Sequence, residues 1–154
     1  MLFVLPVVGQ TLPAGQQIEA LRADAIEHRR IICGKVVQVG TDGIVVESGY
    51  EKLTQPPLNQ SWVVPASAAL GAPPPMVEGN RQDCLCVGLV FLTDLPRKPV
   101  VHLYDYVNLR GYPAGQRTYT SVGNVQRTVR KFSTKLKKAV QWKLDQMPIE
   151  KQAP

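Results

Sequence analysis

Apolar and polar positions alternate with several different periods along this chain, and each change of period marks an element boundary. Gln16 to Arg30, QQIEALRADAIEHRR, places Ile18, Leu21, Ala25 and, just beyond it, Ile32 at helical spacing with charges between them. That spacing predicts an amphipathic helix of about four turns. No Gly or Pro interrupts it, and a β-branched run begins at Ile31. Lys35 to Ser48, KVVQVGTDGIVVES, then reads as a hairpin. With Asp42-Gly43 as a two-residue turn at positive φ, Val39 faces Val46 and Val37 faces Ser48. Val37, Val39, Ile44 and Val46 then share one face, with Gln38 and Glu47 on the other.

From Lys52 to Asp83 the chain is rich in Pro and Ala, and only SWVV has strand character. A structureless loop of that length is unusual in a compact domain, so one short strand is expected near Trp62 to Val64. Cys84 to Thr93, CLCVGLVFLT, is nearly continuously apolar and predicts a central strand covered on both faces, ended by Pro96 and Pro99. In VVHLYDYVNLRGY, Val101, Leu103, Val107 and Leu109 fall on one side, with Asp105 intruding. His102, Tyr104, Tyr106, Asn108, Arg110 and Tyr112 gather on the other. Pro113-Ala114-Gly115 predicts a turn, and Gln116 to Ser121 a further strand. The last segment carries two periods. Val125, Val129, Phe132, Leu136, Val140, Leu144 and Met147 fit one helical stripe, yet TVRKF has the composition of a strand. We expect a strand through Phe132, Ser133 as N-cap, and a basic amphipathic helix from about Thr134 to Gln146 stopped by Pro148.

Short strands punctuated by turns, with helices near both ends, predict a mainly β fold with peripheral helices. The expected architecture is a small antiparallel OB-like barrel with an N-terminal amphipathic helix and a C-terminal basic helix. A β-sandwich is the alternative, disfavoured because the Cys, Trp, Cys order at 33, 62 and 84 sits among the wrong elements. Its 154 residues suit one domain. Residues 1–9 read as the tail of a truncated signal peptide, 10–147 as a single β-barrel domain with flanking helices, and 148–154 as a short tail.

Composition adds two things to this picture. Hydrophobic residues make up 44% and charged residues 19%, ordinary globular usage, while thirteen prolines and twelve glycines agree with many turns. The net charge of +6 is unevenly spread: residues 1–96 hold six Lys/Arg against nine Asp/Glu, and residues 97–154 hold twelve against three. Tyr106 to Leu144 contains no acid at all. A field concentrated in this way attracts an anionic macromolecule, whether acidic protein, envelope polyanion or nucleic acid; a plain solvated surface gives the same pattern.

The N-terminal run Leu2 to Val8, followed by Gly9, resembles the end of a secretory signal and points to a periplasmic or secreted protein; read instead as a buried strand, it points to a cytoplasmic one. No later stretch approaches the ~18 apolar residues of a membrane span. Cys33, Cys84 and Cys86 suit either compartment. Cys84 and Cys86 on one strand would stand about 7 Å apart, too far for an unstrained mutual bridge.

Candidate chemistry is sparse. His28 sits late in the first helix beside Arg29 and Arg30, where a cation is favourable anyway. Cys33, Cys84, Cys86 and His102 offer a metal set on paper, but one residue between Cys84 and Cys86 is not the usual ligand spacing. There is neither GxxxxGK[ST] nor a GxGxxG between strand and helix, so nucleotide-driven chemistry is disfavoured. No catalytic residue, metal site or cofactor is therefore assigned. The best binding candidates are Tyr104, Tyr106, Arg110, Tyr112, Arg117 and Tyr119, where rings stack bases or sugars and guanidinium groups hold phosphates. The same tyrosines would equally serve as packing beneath the terminal helix. A basic patch at Arg127, Arg130, Lys131, Lys135 and Lys138 adjoins them. The leading expectation is an exported, non-catalytic binding module for an anionic partner. A single-stranded nucleic-acid-binding protein is the alternative, and a thiol- or metal-dependent enzyme the third.

Overall fold

The computed structural model describes residues 13–50, 63–64 and 84–148. The signal-peptide reading of residues 1–9, Trp62 and the tail beyond Pro148 lie outside the described residues. So does most of the Pro-rich segment.

Helix α1 (Ala14–Glu27) opens after Pro13, whose fixed φ suits a helix entrance and whose carbonyl accepts the Gln17 N–H at 2.9 Å. It stops three residues before Arg30, because the β-branched pair Ile31-Ile32 already belongs to a strand. Seven strands follow: β1 (Arg30–Val39), β2 (Gly43–Ser48), β3 (Val63–Val64), β4 (Cys84–Leu85), β5 (Gly88–Thr93), β6 (Tyr106–Thr120) and β7 (Gln126–Ser133). Helix α2 (Leu136–Gln146) closes the order. The protein is mainly β, with these two helices beside one sheet ordered β3-β6-β7-β5-β2-β1-β4. β6 also pairs with β1, so the ladders β1–β2–β5–β7–β6–β1 return to their start.

The sheet is mixed, not purely antiparallel as expected. β5 and β7 run parallel, as do β1 and β4. The whole of β6 lies between β5 and β7 in sequence, which gives the chain the length needed to return in the same direction. Inside the circuit Ile32, Val36, Ile44, Val46, Val90, Leu92, Val107 and Phe132 form the core with Cys86. Ser48 is fully buried, and its hydroxyl accepts the Cys33 N–H at 3.2 Å and donates to the Cys86 carbonyl at 2.9 Å. That hydroxyl ties β1 to the residue following β4.

Four local expectations change. The hairpin turn is centred on Thr41-Asp42, with Gly40 N–H donating to the Gly43 carbonyl at 2.8 Å, and Val39 pairs with Ile44. Neither Asp42 nor Gly43 has a positive φ. A bulge at Val37 then brings Val36 onto the core face in its place. Cys84 to Thr93 is two strands, broken before Gly88 at φ 90°. Pro113-Ala114-Gly115 is a bulge within one 15-residue strand, not a turn. Gly115 has φ 91°, and a Cβ there would meet Trp142 of α2 at 2.5 Å, so glycine admits the helix against the strand. Finally, α2 begins after Lys135, and the Ser133 hydroxyl accepts the Lys135 N–H at 3.1 Å without capping the helix.

Candidate functional site

Register decides which candidate side chains share a face. Along β6, Val107 and Leu109 pack into or against the core, so Tyr106, Asn108, Arg110 and Tyr112 take the outer face. The bulge adds one residue, and Arg117 then pairs with Val129 and Tyr119 with Arg127. The extra residue keeps Arg117 and Tyr119 on the side of Tyr112 and Arg110. These residues lie on one long strand rather than on two successive ones. Lys131, partner of Phe91 on β5, belongs to the same outer face.

The six candidates are used unequally. Tyr106 is 8% exposed and packs with Cys33; its ring meets Tyr50 edge-on, centroids 5.6 Å apart at 71°. Burial, then the charge of Glu47, raises the Tyr50 phenol above its ordinary value. Tyr106 thus offers no ring face to a ligand while Tyr50 stays in place. Tyr104, half exposed at φ 69°, carries the Lys35 ammonium 5.1 Å from its ring centroid. Arg110 is exposed opposite Ile31, and Tyr112 is half-buried opposite Ser133. Arg117 lies over the Phe91 ring at 5.0 Å and pairs with Asp42 at 2.5 Å. Neither Asp42, read from the sequence only as a turn residue, nor Phe91 carries a sequence signal for this contact, because both are distant in the chain and only strand order brings them to Arg117. Helix α2 does not cover these tyrosines at Tyr106; its Trp142 instead lies against the bulge at Gly115.

The basic patch divides in three. Arg127 is exposed on the outer face beside Tyr119. Arg130 has the opposite parity, donates through Nη2 to the Val87 carbonyl at 2.6 Å and lies over the Phe132 ring at 6.0 Å. Lys135 and Lys138 are exposed on and beside α2, whose buried residues are Ala139 and Val140. Beyond the sheet, Gln116–Thr120 and Gln126–Val129 form a two-stranded ribbon: β5 reaches β7 only from Arg130 onward. At its tip, Ser121 N–H donates to the Val125 carbonyl at 2.8 Å, Asn124 has φ 60° and Val122 is 94% exposed.

The cysteines do not assemble with His102. Cys86 faces the core while Cys33 lies in the separate outer cluster, where its Sγ donates to Asn108 Oδ1 at 3.0 Å, and none of the three forms a disulfide. Among the described residues no group of three or more His, Cys, Asp or Glu could hold a metal ion. Desolvation pushes the Cys33 thiol up to about 12, so it is not a thiolate at neutral pH. His102 is engaged with Asp105, whose carboxylate accepts the His102 N–H at 2.9 Å. No described helix is long and apolar enough to cross a membrane.

Compared with protein families, curated proteins and solved structures, the chain matches none.

Proposed function

We propose that the protein is a non-catalytic binding module on an OB-type barrel, and that its β6–β7 ribbon holds an anionic polymer, single-stranded nucleic acid fitting it best. The circuit β1–β2–β5–β7–β6–β1 with a parallel β5–β7 step supports the barrel reading over a sandwich, because a sandwich leaves two open edges. One observation carries the function. The ribbon, paired on one side only, sets Tyr119 directly opposite Arg127 with Arg117 on the same face. A ring beside the exposed Arg127 guanidinium stacks a base while that guanidinium holds a phosphate, whatever the sequence; Arg117 is already engaged by Asp42 and Phe91.

The test is anisotropy of a labelled oligothymidine of about twenty nucleotides, titrated between about 50 and about 200 mM salt. Binding falls with salt at a log–log slope near −0.7 per phosphate contact, so three contacts give about −2. Arg127→Gln lessens that slope by about 0.7, and Tyr119→Ala weakens binding about tenfold or more without changing it. Absence of binding at low salt overturns the proposal.

A second reading, an exported module meeting an acidic protein or envelope polyanion, draws on the apolar run Leu2 to Val8. Sequencing the N-terminus of the mature protein from its native host tests it: a start at Gln10 supports export, and a start at Met1 in the cytosol removes it.

A further inference from the structure

We infer that the cleft between the helix pair and the strands is a binding site for a phosphate-bearing small molecule, distinct from the Tyr119–Arg127 ribbon and bordering the outer face at Lys131. Its volume is about 390 Å³, the size range of small-ligand pockets. Asp24 and His28 come from the end of α1, Arg30 opens β1, Arg130 and Lys131 belong to β7, and Lys143 to α2. Phe132, Pro113 and the Gly115 bulge supply the apolar wall. Because glycine at 115 lets Trp142 rest on the strand, α2 lies close enough for its next residue, Lys143, to line the cleft.

The charges in the cleft are not balanced. Its one carboxylate, Asp24, is engaged by Lys143 and lies 3.2 Å from His28 Nδ1. Asp24 therefore fixes Lys143, only 17% exposed, in the wall. Among the described residues, Arg30 and Lys131 meet no carboxylate. Both arginine forks are held in place: Arg30 donates to the Arg29 carbonyl at 3.0 Å, and Arg130 donates to Val87 while lying over Phe132. Side chains already ordered lose less entropy on binding, and planar forks match phosphate oxygens. A surplus of positive charge around a partly apolar wall suits a multiply charged phosphate on an organic body, better than a single carboxylate.

The experiment is calorimetric titration of the full chain with inorganic pyrophosphate at low salt. One-to-one saturation is expected, weakened about tenfold by Arg30→Gln and by Lys131→Gln and unchanged by Arg127→Gln on the ribbon. Circular dichroism reports whether each variant folds. If Arg30→Gln does not, the half-buried Lys131→Gln decides. Heat without saturation, or equal affinity in parent and folded cleft variants, overturns the site. A terminally phosphorylated oligothymidine compared with its hydroxyl-ended form identifies the source of the phosphate. Tighter binding of the former, lost in Lys131→Gln, assigns the cleft to a nucleic-acid end. Equal binding of the two, with pyrophosphate saturation, assigns it to a free small molecule. Oligothymidine binding without pyrophosphate binding overturns the cleft alone; the reverse overturns the ribbon alone.

Discussion

Replacing Gly115 by alanine tests the contact on which the placement of α2 depends. The backbone there has φ 91°, a conformation that costs an L-residue about 1–2 kcal/mol. The added Cβ would stand 2.5 Å from Trp142 Cζ2 and 3.0 Å from Cε2, so the indole or the helix must shift. Overpacking of this kind costs about 1–3 kcal/mol, and the two effects together reach about 2–5 kcal/mol. Against a total stability of about 5–15 kcal/mol this is a large fraction. For a domain of this size it corresponds to about 2–4 °C of Tm per kcal/mol. Urea unfolding followed by far-UV circular dichroism measures the loss, and the near-UV tryptophan bands report the displaced indole. Gly15→Ala is the matched control: no atom lies within 4 Å of its added Cβ, and within α1 it stabilises by about 0.5–1 kcal/mol. A Gly115→Ala loss below about 0.5 kcal/mol with unchanged near-UV bands would refute the close-approach argument.

Three other outcomes follow from the same structure. The Asp24 carboxyl is held below its ordinary 3.8 chiefly by its hydrogen bond from Lys143, so the stability it confers is complete above that value and is lost as pH falls through the lower native value. The Tm difference between parent and Asp24→Asn should therefore persist at neutral pH and close in acid below 3.8; a difference that grows on acidification contradicts the pairing. Pulse alkylation at mildly alkaline pH, read by mass spectrometry, should modify half-buried Cys84 before buried Cys33 and Cys86; first labelling of Cys33 would be inconsistent with a thiol pushed up to about 12. A double-mutant cycle on Arg117→Gln and Asp42→Asn should give a coupling of about 0–1 kcal/mol, because both side chains are over a third exposed; a value above about 2 kcal/mol would mark the pair as shielded from solvent.

Local pattern carried the element types further than their joins. The helical spacing around Leu21 and Ala25, the valine runs on either side of Asp42, and the choice of strand before helix at Phe132 all correspond to observed elements. The joins differ because they depend on single backbone angles. Gly88 and Gly115 at positive φ respectively break one predicted strand and carry another through a predicted turn. Nothing in hydrophobic periodicity distinguishes a glycine that ends a strand from one that bulges it. The candidate site was legible as a list of residue types but not as a surface. Tyr106 and Tyr119 have the same chemistry, yet one is sealed beneath Tyr50 and the other stands beside Arg127 on the ribbon.

A mainly β chain with a helix at each end and a positive C-terminal half follows from local sequence alone, because period and charge are properties of neighbouring residues. The parallel run of β5 and β7, the reach of Arg117 to Asp42 across the sheet, and the gathering of Asp24, Arg30, Arg130 and Lys143 along one cleft arise in the folded chain. These are contacts between residues far apart in the chain. Their partners are selected by strand order and by the close approach of α2 at Gly115, and neither is written in any local stretch of the sequence.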